Sequence, residues 1–185
     1  MASRNREIPP PGERFKKTLT NLANIMSNEM QIARTKGINT ISPDIINFGI
    51  TLIEATDGDV IAGGFITRSY TTTGNYWSKI LEKDESFFMS KENSTLLFGE
   101  LSSGIVDGFI SLIKEKHVSE HLMMSVWQHL HAMVKISIAF VHFERKPQKV
   151  KTEDGFSVKY TQNERPHIDL LKEADRWNVD LANVV

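Results

Sequence analysis

Between Ser119 and Glu144 apolar residues stand at Leu122, Met123, Val126, Trp127, Leu130, Met133, Val134, Ile136, Phe140, Val141 and Phe143. They recur at spacings of three and four, which stack side chains along a helix. A helix apolar on most sides must be enclosed by other elements or by lipid. Gln128, His129, His131 and Lys135 stand in its middle, where one lysine costs about 2.5–3.5 kcal/mol on membrane-insertion scales. The expectation is therefore a central helix enclosed by protein, with no membrane span. A chain of 185 residues, 40% of them hydrophobic, can supply that enclosure within one domain.

The flanking segments provide the enclosing elements. From Glu13 to Lys36, Phe15, Leu19, Leu22, Ile25, Met26, Met30 and Ile32 keep helical spacing until Gly37 gives a stop. Ser42-Pro43-Asp44 offers a capping hydroxyl, a proline for the first helical position and an acid for the first turn. Beyond it Ile46, Phe48, Ile50 and Leu52 alternate with period two, and Thr56-Asp57-Gly58-Asp59 could join two strands ending near Ile66. The capping signals favour a helix to about Ala55, since they rarely open a strand. Gly63-Gly64 and the polar run from Ser69 to Asn75 weaken any single long element there. Two short helices are expected around Trp77, Ile80 and Leu81 and around Phe87-Phe88, with Leu96, Leu97 and Phe98 preceding Gly99. A further helix through Ile105, Phe109, Ile110, Leu112 and Ile113 should end near Lys116.

After Pro147, the segment 149–161 has the pattern of a hairpin turning at Asp154-Gly155, and a last helix is expected over 166–178, with Ile168, Leu171, Ala174 and Trp177 on one face. The fold class is thus mostly α: a single-domain helical bundle, residues 13–185, around one central hydrophobic helix, with a small C-terminal β-hairpin. Residues 1–12 read as a flexible basic arm. Residues 1–17 hold five basic residues against two acidic ones, and Pro9-Pro10-Pro11 stiffens the stretch. No apolar run of signal-peptide length occurs there.

Charge and cysteine content remove several function classes. Lys plus Arg number 22 against 23 Asp plus Glu, so no global field draws in nucleic acid or acidic lipid. The absence of cysteine excludes disulfides, thiolate metal sites and cysteine nucleophiles, and tilts the balance toward a reducing compartment. The glycines fit neither a phosphate-binding loop nor a dinucleotide fingerprint.

Three constellations remain. His117-Val118-Ser119-Glu120-His121 spells H-x-x-E-H, the order of inverted zinc peptidases. Two imidazoles can share zinc there only if both are helical, and Ser119 has the character of a cap that leaves His117 outside. The favoured reading is an ordinary helix start, with no metal and no cofactor. On the central helix His121, Gln128, Lys135 and His142 recur every seven residues, each turned about 20° from the last, with His131 alongside. This stripe is either the wet edge of a buried helix or a protein-contact seam that histidines make sensitive to pH. Finally, Arg145, Lys146, Lys149 and Lys151 follow the helix end, where cations complement its dipole. Between Glu54 and Glu120, by contrast, acids outnumber bases by 11 to 6. Together with Arg4 and Arg6 of the arm, the basic cluster could instead meet phosphates or an acidic protein face.

Phe65-Ile66, Trp77-Ser78-Lys79-Ile80, Asp84-Glu85-Ser86-Phe87-Phe88, Leu97-Phe98, Val126-Trp127, Met133-Val134-Lys135-Ile136-Ser137-Ile138 and Val141-His142 follow one another over about residues 41–147. In this succession the chain resembles helical proteins of roughly 200 residues encoded by nucleocytoplasmic large DNA viruses. The resemblance carries no catalytic motif. It implies a virion-associated or minor-capsid-type assembly component that acts through contacts, located in the virion or in a virus factory of the host cytoplasm. The expected function is accordingly a non-enzymatic structural or interaction protein, with other proteins as partners and self-association into an oligomer left open. The alternative is a nucleic-acid-associated accessory protein using the basic segments, and a hydrolase on His117, Glu120 and His121 comes last.

Overall fold

The computed structural model describes residues 8–70, 75–90, 92–93, 99–145, 148–152, 155–159 and 168–184. Helix α1 spans Pro11–Thr35 and α2 Pro43–Ala55, the latter capped by the Ser42 hydroxyl, which accepts from the Asp44 amide at 3.3 Å. Helix α3, Gly58–Ser69, opens on Asp57, whose carboxylate accepts from the amides of Asp59 and Val60. Residues 42–69 are thus two helices, and the hairpin alternative for them is set aside. Helix α3 also runs straight through Gly63-Gly64, because Ala62, Phe65 and Ile66 around them are buried, and burial outweighs the low helix propensity of glycine.

Short helices α4, Trp77–Leu81, and α5, Glu85–Phe88, follow. Next come α6, Glu100–Lys114, and α7, Glu120–Arg145. The C-terminal helix α8, Leu170–Arg176, begins at the Asp169 cap, later than expected, and a single 3-10 turn covers Leu181–Asn183. Pro166, the expected start, lies outside the described residues. Between α7 and α8 the strands β1, Gln148–Thr152, and β2, Gly155–Lys159, pair antiparallel, Gln148 facing Lys159 and Thr152 facing Gly155. The turn residue Asp154 lies outside the described residues. A two-stranded ladder is marginal by itself, and the helical class does not depend on it.

The centre of the bundle is shared. Helix α7 packs on α1, α3, α4 and α8, but α1 packs on α2, α3, α6 and α7. The expectation of one central helix is corrected to a pair, because α1 concentrates Phe15, Leu19, Leu22, Met26 and Met30 on one buried stripe while its opposite side stays wet. On α7, Leu130 and Met133 are core as expected, whereas Ile136 is only half-buried.

The arm ends earlier than expected. Pro11 and Gly12 already belong to α1 and are buried, because the two backbones cross here. A Cβ on Gly58 would lie 2.5 Å from the Gly12 carbonyl oxygen, and one on Gly12 would collide with Asp59. Glycine is required at both positions by this close approach rather than by backbone angle.

Candidate interaction surfaces

Ser119 caps α7, its hydroxyl accepting from the Leu122 amide at 3.2 Å. His117 therefore precedes the helix: its amide donates to the Leu112 carbonyl, closing α6, and its Nε2 faces the Glu115 carboxylate at 3.5 Å. His117 thus stands outside the helix that carries His121, and the two imidazoles do not share a helical face. Among the described residues no three His, Asp or Glu side chains come together as a metal site.

The stripe on α7 is displayed as the seven-residue spacing predicts. His121, Gln128 and Lys135 are exposed and His142 is half-buried. Gln128, His131 and Lys135 line an open groove of about 420 Å³ with Lys83, Met124, Trp127 and Ala132. Lys83 comes from the turn after α4, in the left-handed region at φ 53°, where its backbone amide donates to the Ile80 carbonyl and ends the helix. Its ammonium rests 3.9 Å from the Met124 sulfur. The His131 Nε2 lies 2.9 Å from the Ile80 carbonyl. A carbonyl only accepts, so Nε2 carries the hydrogen. Burial holds the titration of His131 below its ordinary 6.5, and the charges of Lys83 and Lys135 push the same way against that hydrogen bond. The imidazole edge also meets Trp177, with ring centroids 5.3 Å apart.

Of the basic cluster, only part lies among the described residues. Arg145 is exposed, and its guanidinium donates to the Ile168 carbonyl at 3.2 Å, tying the end of α7 to the segment before α8. Lys149 and Lys151 stand on β1 opposite Val158 and Phe156. Arg4, Arg6 and Lys146 lie outside the described residues.

Two features were not anticipated. The first is α2, which is apolar on two faces. At 100° per residue, positions 46, 50 and 53 cluster on one side and 45, 48 and 52 on another. Ile46 and Ile53 are buried, whereas Ile45 is 54% and Phe48 65% exposed. The period-two alternation that imitated a strand was the visible sign of this second face. The second is Glu173, on α8 and only 2% exposed. Its Oε1 accepts from Asn75 Nδ2 at 3.0 Å and from the Tyr70 hydroxyl at 3.4 Å, while Oε2 has no partner among the described residues. One turn further along, the buried Trp177 Nε1 is also without one. Leu171, expected on the apolar face of this helix, is exposed instead. Ile168 lies before the helix, and the buried side runs through Glu173, Ala174 and Trp177. Burial and the nearby Glu173 carboxylate both raise the Tyr70 hydroxyl above its ordinary value.

Inside the bundle, Met26, Phe88, Phe109, Trp127 and Leu130 line an apolar cavity of about 50 Å³. Binding sites for small molecules run to about 300 Å³ and above, so this space is a packing gap. Among the described residues no helix is long and apolar enough to cross a membrane.

Compared with protein-family models, with curated proteins and with solved structures, the chain finds no match. The surfaces themselves must carry its functional reading.

Proposed function

We propose that this chain is a non-enzymatic interaction protein, a component of a viral particle or virus factory that docks on another protein through α2. The observation that carries the reading is the outward face of that helix, where Ile45 and Phe48 stand in solvent. Large apolar side chains at adjacent positions of one helix face are what helix-in-groove and helix-on-sheet contacts bury. Fully burying one of them contributes on the order of 1.5–3 kcal/mol. The viral setting rests on the sequence resemblance described above, and the partner proposed with it is another protein of the particle or factory. The basic arm and the C-terminal hairpin belong to the same proposal, as segments that add contacts once α2 is seated.

The experiment is affinity capture from infected cells with the wild-type chain and with Phe48→Asp, matched for circular dichroism. Loss of the captured viral proteins with the variant is expected; an unchanged set would remove α2 as the docking face. A salt titration of duplex DNA binding tests the nucleic-acid alternative. Micromolar affinity falling steeply with salt would favour that alternative. The hydrogen bond of Arg145 to Ile168 counts against it.

A further inference from the structure

The groove on α7 is lined by two ammonium groups and no carboxylate. Lys83 is flanked in sequence by Glu82 and Asp84, yet both acids face Lys79, at 3.9 and 2.9 Å from its Nζ. Lys79 thus offsets one of these two charges, and neither carboxylate lines the groove. Neither Lys83 nor Lys135 forms an ion pair with any described residue. Between them stands His131, a side chain that carries no negative charge and whose ring hydrogen is held by the Ile80 carbonyl. The edge of the groove is apolar: Met124 is 47% exposed, with its sulfur against the Lys83 ammonium. Lys83 holds its place at a left-handed position that glycine occupies without strain.

From this we infer that the groove is a docking site for an acidic protein segment that carries an apolar side chain beside its carboxylates. The carboxylates meet Lys83 and Lys135, Gln128 supplies a neutral donor, and the apolar side chain lies on Met124. This site is separate from the α2 face and stands whether or not that face docks. A nucleic-acid strand fits it less well. Phosphate tracking needs a row of cations longer than two, and the groove offers only Lys83 and Lys135. Stacking of bases needs an open aromatic face, and Trp127 is buried.

The test uses the full chain and three fluorescein-labelled probes: a peptide mixing Glu with Leu, the same peptide with Lys for Glu, and an oligothymidylate. Binding is read by anisotropy at about 50 and about 200 mM salt. Saturable binding of the acidic peptide alone is expected, with shifts of the His131 ring and Trp127 indole resonances. Lys83→Gly and Lys135→Gln should each weaken it, and the double reversal Lys83→Glu/Lys135→Glu should weaken it about tenfold or more. Lys83→Gly relieves the left-handed strain, so its loss of binding cannot be attributed to unfolding. Lys16→Glu on α1 should leave binding unchanged. Equal binding of both peptides, wild-type affinity in the lysine variants, or no binding at low salt would overturn the inference. Tighter binding of the oligonucleotide through the same lysines would overturn it in favour of phosphate.

Discussion

Glu173 shows how much one buried side chain can decide. Its Oε1 is the acceptor for Asn75 and for Tyr70, the two residues bracketing positions 71–74, so a single carboxylate joins α8 to the end of α3 and the start of α4. Glu173→Ala strands the Asn75 amide and should cost about 1–3 kcal/mol, measured by urea unfolding. Glu173→Gln keeps an acceptor for the Asn75 amide, so it should be far milder; equal costs would show that the hydrogen bonds are not the cause. Asp84 acts at the surface. Its carboxylate accepts from the Ser86 hydroxyl, the Lys79 ammonium and the Phe87 amide, which together lower it from the usual 3.8 to about 2. A depressed carboxyl contributes stability above its ordinary value and loses it as pH falls through the depressed one. Asp84→Asn should therefore flatten the acid end of the stability curve between pH 3.8 and about 2.

At the scale of elements, the enclosed side of α7 runs from Val126 to Val141. Leu130→Ala should cost about 2–5 kcal/mol, because its side chain is enclosed next to the internal cavity. Ile136→Ala should cost clearly less, since Ile136 is half-exposed; thermal unfolding of the pair checks the order. The helices themselves were legible: Ser42-Pro43-Asp44 marks the start of α2, Ser119 caps α7, and the spacing from Phe15 to Met30 gives α1. What was not legible depends on contacts distant in sequence. Nothing local marks Glu173 as buried, because its partners lie about a hundred residues away. Gly12 reads as linker until Gly58 is seen against it. The surface on α2 was half-visible, since its excess of apolar residues was read as ambiguity between helix and strand rather than as two faces. Of the candidate contact residues, the seven-residue stripe stands as its spacing predicts. Lys83, which completes the groove, reaches it only because α4 ends in a left-handed turn.

For the molecule as a whole, far-ultraviolet circular dichroism should be helix-dominated, and a β-dominated spectrum would overturn the bundle. Stability should also fall as pH drops below 6.5, the ordinary value of histidine. The folded chain takes up the His131 proton less readily than the unfolded one, so protonation favours unfolding. His131→Gln should reduce that dependence in chemical unfolding at pH 7 and pH 5. The bundle is not evenly tied together. Among the described residues α1 and α7 are each enclosed by several helices, whereas α8 is a short helix whose main neighbour is α7, and on its inward side Glu173 Oε2 and Trp177 Nε1 have no partner. Water would hydrate both atoms once that face opened, so part of the cost of undocking α8 is returned on release. The C-terminal helix is then expected to open as a separate cooperative unit. Its amide hydrogens, from Leu170 to Arg176, should exchange with solvent well ahead of those in α1 and α7 under native conditions. Exchange of all three at one common rate would mean that the chain opens only as a single body.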